Sequence, residues 1–160
     1  MPSARAAALR LERFVPYRLS VLANVISGSI AAAYAERFEL TIPQWRVLAV
    51  LAEQPGASAA EVAQCTAMDK VAVSRAVQSL LRAGRLEREF APTDRRRSRL
   101  RLSRAGLAVH AKVVPMALAY ESALLQVLPS ADRAALDRIL SLLHERSRVI
   151  GRDDAPMPVQ

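Results

Sequence analysis

The segment MDKVAVSRAVQSLLRAGRLEREF, residues 68–90, decides the fold of this chain. Asp69 can accept hydrogen bonds from the free N–H groups at the start of a helix, and Gly84 can adopt the left-handed conformation that often ends one. Helical spacing divides the side chains of residues 70–83 between two faces. The apolar face carries Val73, Ala76, Val77 and Leu80. The other face is mainly polar and carries Lys70, Val71, Ser74, Arg75, Gln78 and Arg82.

A short hairpin is expected directly after this helix. Residues 86–91 and 99–103 carry apolar side chains at alternate positions, which is typical of strands. The link between them, PTDRRRS at 92–98, contains turn-forming residues and three consecutive arginines. We therefore predict a β-hairpin with a basic tip.

Two capping boxes indicate the helices that come before. Thr41 and Gln44 form the first, ahead of a helix over 42–53, and Ser58 and Glu61 form the second, ahead of a short helix. The chain thus runs through a helix, a short helix, a helix with an exposed polar face and a basic hairpin. This is the order of a winged helix-turn-helix.

Alanine- and leucine-rich segments flank this core. A long helix that starts near Pro16 is expected before it, and a helix bent or broken near Pro115 is expected after it, followed by a last helix from Pro129. We predict a mainly α chain with a small β-hairpin wing, in which the core lies between N- and C-terminal dimerisation helices. The predicted parts are an N-terminal dimerisation arm and helix, the winged helix-turn-helix core, C-terminal dimerisation helices and a flexible tail, at residues 1–40, 41–103, 104–150 and 151–160.

The positive charge is concentrated in the same core. The chain has a net charge of +8. Lys70–Arg104 holds eleven basic and three acidic residues, whereas the rest of the chain holds twelve of each. A solvated face normally mixes the two signs, so a local excess of arginine points to phosphate as the partner.

These features together predict a surface for double-stranded DNA. A helix in the major groove needs small or polar residues near its N-terminus, and Ser74 and Gln78 can bond base edges there. Val71 can touch a thymine methyl group, Arg75 can reach guanine or phosphate, and arginines at the wing tip can enter the minor groove. The predicted DNA contacts are Lys70, Val71, Ser74, Arg75, Gln78, Arg82, Asp94, Arg95, Arg96 and Arg97.

Residues 41–106 resemble the MarR family of bacterial regulators. The resemblance rests on LTIPQWRVLAVL (40–51), MDKVAVSRAVQSLLRAGRLER (68–88) and TDRRRSRLRLSRAG (93–106). It implies an obligate homodimer with interleaved terminal helices, and it implies that Asp94 braces Arg96, which enters the minor groove. Twofold symmetry would then match a pseudo-palindromic operator.

The sequence departs from the family pattern at two positions. Arg85 stands where the family usually continues from glycine directly to leucine, and Ala72 replaces a common polar residue on the recognition helix. Both departures leave the base preference open.

The resemblance also implies a small-molecule effector, often an aromatic acid, bound between the dimerisation helices and the core. Arg18 could pair with a carboxylate, and Asn24, Trp45 and His110 could line the same pocket. A structural or dimer salt bridge is the alternative for Arg18, and packing in the interior is the alternative for Trp45 and His110. Each of these roles stays open at the level of sequence.

Composition limits the other classes of protein. Hydrophobic residues make up 52% of the chain, enough for a packed core, and a single cysteine excludes an intramolecular disulfide. No apolar run approaches the roughly 20 residues of a membrane span, and the first residues do not resemble a signal peptide. We therefore expect a cytoplasmic protein with no membrane partner.

Catalysis and metal binding are not indicated. The sequence contains no glycine-rich phosphate loop, nucleophile elbow or acid/base pair, so an enzyme is not expected. His110, His144 and Cys65 lack metal-ligand spacing, and no cofactor is predicted. For Cys65 a buried structural role is favoured, with thiol redox sensing as the alternative.

The sequence thus predicts a regulator of transcription that binds specific double-stranded DNA. We expect a repressor that a small-molecule effector, an aromatic carboxylate, releases from DNA, although activation stays open. Two rival functions are a non-specific architectural DNA-binding protein and a redox-sensing regulator that acts through Cys65. A third is a winged-helix module that binds protein.

Overall fold

The computed structural model describes residues 9–91 and 94–150, with the backbone alone at 91 and 94–97. A short 3₁₀ helix precedes the first α-helix. The elements in chain order are α1 (Val15–Phe38), α2 (Ile42–Glu53), α3 (Ala59–Thr66), α4 (Lys70–Arg82), β1 (Leu86–Ala91), β2 (Asp94–Leu102), α5 (Arg104–Leu125) and α6 (Ser130–Ile150). The predicted fold class is confirmed: this is a winged helix-turn-helix core between N- and C-terminal helices. The predicted flexible tail at 151–160 lies outside the described residues.

Local capping interactions begin the three helices of the core as predicted. The Thr41 hydroxyl accepts a hydrogen bond from Gln44 N, and the Gln44 side chain accepts one from Thr41 N, which closes the first capping box. Ser58 and Glu61 close the second box in the same reciprocal way. Asp69 Oδ1 accepts hydrogen bonds from the first N–H groups of α4 at 2.9 Å. These contacts satisfy donors that a helix terminus leaves free.

The hydrophobic core forms where α2, α3, α4 and the hairpin meet. Its fully buried side chains include Val47, Leu48, Leu51, Val62, Val73, Val77, Leu80 and Leu100. Tyr34 of α1 and Val113 of α5 are also buried and belong to the same cluster. The two long helices are therefore anchored to the winged-helix core at these positions.

The hairpin begins as expected but has a longer second strand. β1 and β2 pair antiparallel, with Leu86 opposite Leu102 and Phe90 opposite Ser98, and the register shifts between Phe90 and Ala91. The prediction that 92–98 is a link was wrong in part, because β2 starts at Asp94. Ser98 lies opposite Phe90 and Asp94 lies opposite Ala91, so the arginines at 95–97 fall at the shift in register, and their sequence has no alternation of apolar residues.

The two long flanking segments differ slightly from the predictions. Pro16 lies in the first turn of α1, where its missing N–H group has no helical partner to lose. The helix α5 runs without interruption through Pro115, so the predicted break is absent, and it ends at Leu125. A proline removes only one N–H donor, and the helix continues on both sides of it.

The chain divides into two compact units between Leu118 and Ala119. The first contains α1 to α4, the hairpin and most of α5, and the second contains the end of α5 and α6. Neither α1 nor α6 is well covered, since Tyr34 is the buried residue of α1 and no residue of α6 is buried.

By length and composition alone α1 is apolar enough to cross a membrane, with a mean hydropathy of 1.3 over its best window. The expectation that no segment reaches spanning length was therefore too strict. The core helix of a soluble protein or a signal sequence can have the same length and composition.

Candidate nucleic-acid interface

The recognition helix α4 separates its two faces as the sequence predicts. The four residues of its apolar face are at most 5% exposed. The six residues predicted to contact DNA on this helix are all exposed, namely Lys70, Val71, Ser74, Arg75, Gln78 and Arg82. Val71, Ser74 and Gln78 are small or uncharged side chains, so this face of the helix can come close to base edges in a major groove.

A polar contact fixes α4 against α2. Gln44 Nε2 donates a hydrogen bond to Ser79 Oγ at 2.8 Å, so the residue that caps α2 also contacts the recognition helix. Between these helices lies a groove of about 320 Å³. Ala72 and Arg75 line it together with Thr41 and Pro43. The family departure at Ala72 therefore lies beside Arg75 at the edge of the predicted DNA surface.

The hairpin is attached to the turn between α2 and α3. Gly56 N donates to Leu100 O at 2.8 Å, and Leu100 N donates to Ala57 O at 3.0 Å. The guanidinium of Arg99 adds a hydrogen bond to Gly56 O at 3.2 Å. These three bonds fix the base of the wing to the helix-turn-helix.

Four predicted contacts lie on the wing: Asp94, Arg95, Arg96 and Arg97. The structure places all four at the start of β2, and Asp94 pairs with Ala91 across the strands. The interaction in which Asp94 braces Arg96 concerns side chains outside the described part of the chain. It stays a prediction.

Several basic residues of the charged segment are engaged within the protein. Arg101 forms ion pairs with Glu87, at 3.0 Å, and with Glu89. Arg85 bonds to carbonyl groups at the end of α1, and Arg99 bonds to Gly56. The charge count of the sequence therefore overstates the number of arginines that are free to meet phosphate.

The four predicted effector residues do not form one group. The rings of Trp45 and His110 are stacked, with centroids 5.5 Å apart, and Tyr34 lies 5.8 Å from Trp45. Arg18 and Asn24 are exposed on α1, and no described contact joins them to this stack. Of the four predicted pocket residues, the structure brings together only Trp45 and His110.

Burial lowers the pKa of His110 below its ordinary value of 6.5, and the carboxylate of Glu53 opposes this shift. Burial likewise raises the pKa of Tyr34, against the charge of Arg46. Arg46 itself donates to Ser27 Oγ at 3.1 Å, which links α2 to α1. The region between α1, α2 and α5 is therefore partly buried, with the polar side chains of Arg46 and Ser27 at its edge.

The expectation of a buried Cys65 was wrong, because its side chain is exposed. Its Sγ atom lies 3.8 Å from Gln54 Oε1. The short helix α3 turns Val62 and Ala63 to the core and leaves Cys65 on the opposite face. Among the described residues, no group of three His, Cys, Asp or Glu side chains is placed to hold a metal ion.

Fold and surface together define the class of this protein: a winged helix-turn-helix protein with an exposed recognition helix and a hairpin wing. The model of the MarR family matches residues 38–97, so the resemblance drawn from the sequence is confirmed. The match covers most of the winged-helix core, and the chain is similar there to the MarR family.

Solved structures of the family share the fold over most of their length. A MarR/EmrR family regulator from Acinetobacter sp. ADP1 superposes with a TM-score of 0.80 at 24% identity, over 88% of this chain and 99% of that one. BpsR from Bordetella bronchiseptica, whose DNA binding is regulated by 6-hydroxynicotinic acid, gives 0.74 at 25% identity, over 88% and 97%. The transcriptional repressor CouR, bound to a 23-mer DNA duplex, gives 0.73 at 23% identity, over 86% and 99%. No curated protein matches this sequence.

Proposed function

We propose that this chain is a sequence-specific regulator of transcription that binds double-stranded DNA as a homodimer. The observation that carries the proposal is the exposed face of α4, where every predicted contact is accessible to solvent and the opposite face is buried. Base readers such as Ser74 and Gln78 have no use in a protein that only coats the phosphate backbone. The DNA-bound structure of CouR supports the same mode of binding by analogy.

Two exposed apolar surfaces support the homodimer. On α1 the side chains of Tyr17, Val21, Leu22 and Val25 are 43–59% exposed, and on α6 those of Ile139, Leu140 and Leu143 are 43–46% exposed. Full burial of such a side chain contributes about 1.5–3 kcal/mol, and covering one that is half exposed contributes about half of that. A second copy of the chain would cover these helices, and its twofold axis would select a pseudo-palindromic operator.

We propose further that the protein is a repressor and that an aromatic carboxylate releases it from DNA. The ligand of BpsR is such an acid, which supports this effector class for a related fold. Within one chain only Trp45 and His110 are in contact, so their stack would line the pocket. Arg18, which is exposed on α1, would pair with the carboxylate, and the exposed Asn24 stays a candidate contact. A carboxylate bound by arginine gains a charge-assisted hydrogen bond.

The first test is fluorescence anisotropy with DNA from upstream of the gene and with a scrambled duplex, over several salt concentrations. We expect the native duplex to bind at least about 10³-fold more tightly than the scramble, with a steep loss of affinity as salt rises. Equal affinity for both duplexes would favour the architectural alternative, and genome-wide site selection would then look for an operator elsewhere. No binding to either at low salt would contradict DNA binding and favour a protein partner.

Variants of α4 and the wing then assign the contacts. Ser74→Ala and Gln78→Ala should change the preference among operator variants by about 1–3 kcal/mol per base contact. Arg96→Ala should weaken binding to all sequences. Lys112→Ala is the matched control for lost charge, since Lys112 is exposed on α5 outside this surface. Unchanged binding by Arg96→Ala would contradict the wing assignment.

Redox sensing through Cys65 remains the second candidate, and the observation that favours it is the exposure of the thiol. The chain has no second cysteine to form an intramolecular disulfide. If the thiol is the sensor, peroxide should release wild-type protein from DNA and leave Cys65→Ser bound. Equal release of both proteins would exclude this role.

A further inference from the structure

Arg85 bridges two distant parts of the chain. Its Nη2 atom donates to Phe38 O at 2.6 Å, and its Nη1 atom lies 3.4 Å from Glu39 O. Phe38 is the last residue of α1, and Glu39 follows in the left-handed conformation with φ of 50°. The guanidinium therefore caps the C-terminus of α1, where unpaired carbonyl groups and the helix dipole favour a cation.

The main chain of Arg85 lies where three elements meet. Its N–H donates to Leu80 O at 2.9 Å, which closes the end of α4, and its carbonyl accepts from Ser103 N at 3.1 Å, which holds the start of α5. The next residue, Leu86, begins the wing. Gly106 of α5 packs so closely here that a Cβ atom would come within 2.0 Å of Arg85 O.

The bridge depends on the arginine side chain, and Arg85 stands where the family pattern usually continues from glycine directly to leucine. A leucine at this position has no donor for the carbonyl groups of Phe38 and Glu39. The charge of Arg85 also lies within the basic segment, where the sequence would suggest a contact with phosphate. Its two carbonyl partners give it a different role.

We propose that Arg85 is a positioning residue that couples the end of α1 to the junction of recognition helix and wing. The inference rests on the proposed DNA-binding function. A shift at the end of α1 would move the Arg85 guanidinium, and the backbone bonds to Leu80 and Ser103 would pass that shift to α4 and α5. The Arg85 side chain thereby links the position of α1 to the affinity for DNA.

The test compares Arg85→Leu and Arg85→Lys with Arg82→Ala, an exposed arginine of the recognition helix. Leucine retains bulk and removes the donors, and lysine retains a charge with one donor group. Affinity for the native duplex is measured against salt well below the melting temperature. We expect Arg85→Leu to bind on the order of tenfold more weakly with an unchanged salt slope, and Arg85→Lys to recover part of the loss. Arg82→Ala should instead lower the slope by about 1.

The single tryptophan, Trp45, reports on the side of the core that faces α1, since it packs against Tyr34. We expect DNA to change its fluorescence in wild type, Arg82→Ala and Arg85→Lys, and to leave it unchanged in bound Arg85→Leu. A slope lowered by about 1 in Arg85→Leu would make Arg85 a phosphate contact. Normal affinity and a normal Trp45 response with a reduced melting temperature would make it merely structural. Absence of a Trp45 response in the wild type would also overturn the coupling.

Hydrogen exchange on the free protein separates this inference from the proposed function. Arg85→Leu should exchange faster both in the last turn of α1 and at the junction of α4 and β1. Faster exchange at only one of these two places, the last turn of α1 or the junction of α4 and β1, would overturn the inference even if the wild type binds DNA. Failure of the wild type to bind DNA would overturn the proposed function and leave the exchange result to decide the link.

Discussion

At the scale of single residues, folding changes the acid–base chemistry of His110. Its ring stacks on Trp45 with an interplanar angle of 22°, and burial lowers its pKa. In the unfolded chain the imidazole is free to titrate at its ordinary value. The two states therefore bind protons differently, and the stability of the protein depends on pH.

We predict that stability falls as the pH is lowered through 6.5, the ordinary pKa of histidine. Above that pH both states are neutral at His110, whereas below it the unfolded state takes up a proton before the folded state does. Urea unfolding at pH 7.5 and 5.5 measures the difference. His110→Gln should lose part of the pH dependence, and His144→Gln, at an exposed position, should retain it. Identical pH dependence in wild type and His110→Gln would contradict the prediction.

Gly106 shows a second effect at the scale of single atoms. A Cβ atom there would lie 2.0 Å from Arg85 O, and this neighbour is backbone that cannot turn aside. We predict that Gly106→Ala lowers the free energy of unfolding by about 1–3 kcal/mol or more. Gly28→Ala is the control, because nothing lies within 4 Å of the added atom and alanine favours a helix by about 1 kcal/mol. Equal melting temperatures for Gly106→Ala and wild type would contradict the close contact.

At the scale of elements, the start of α4 joins stability to DNA binding. Asp69 accepts hydrogen bonds from two N–H groups in the first turn of α4. The same turn carries Lys70 and Val71 of the proposed interface. We predict that Asp69→Ala costs about 1 kcal/mol of stability, since the cap is lost. Fraying of the turn should also weaken DNA binding.

Asp69→Asn provides the matched control for this prediction, because asparagine retains an oxygen acceptor and caps about as well. Urea unfolding and anisotropy are measured on both variants. A loss of DNA affinity in Asp69→Asn as large as in Asp69→Ala would assign the effect to charge rather than to capping.

At the scale of the whole molecule, the exposed apolar side chains of α1 and α6 are the surfaces of the proposed homodimer. We predict that Leu140→Asp raises the dissociation constant of the proposed homodimer by more than about tenfold, because covering the half-exposed leucine contributes about half of the 1.5–3 kcal/mol of full burial and a twofold interface contains it twice. Sedimentation velocity measures the dimer, and anisotropy with a two-half-site duplex measures the loss of DNA binding. Ser141→Asp adds the same charge to the neighbouring exposed residue and should remain a dimer. A fully dimeric Leu140→Asp protein would place the interface elsewhere.

The helices of the core and the two faces of α4 could be predicted from the sequence because their signals are local. The capping boxes span three residues, and the division of α4 into a buried and an exposed face follows from helical periodicity alone. The start of β2 was missed because the arginine run has no alternating apolar pattern. The exposure of Cys65 was missed because α3 is short, and only packing determines which face of so short a helix meets the core.

The sequence by itself thus determined the winged-helix order, the helix boundaries of the core and the exposed face of α4, since all of these depend on neighbours within a few residues. Only the tertiary structure decided which charges remain free. Arg85 bonds to Phe38 across 47 positions of sequence, and Arg99 bonds to Gly56 across 43. Such bonds form because folding brings distant carbonyl groups within 3.5 Å of a guanidinium, and no periodicity in the chain encodes that approach.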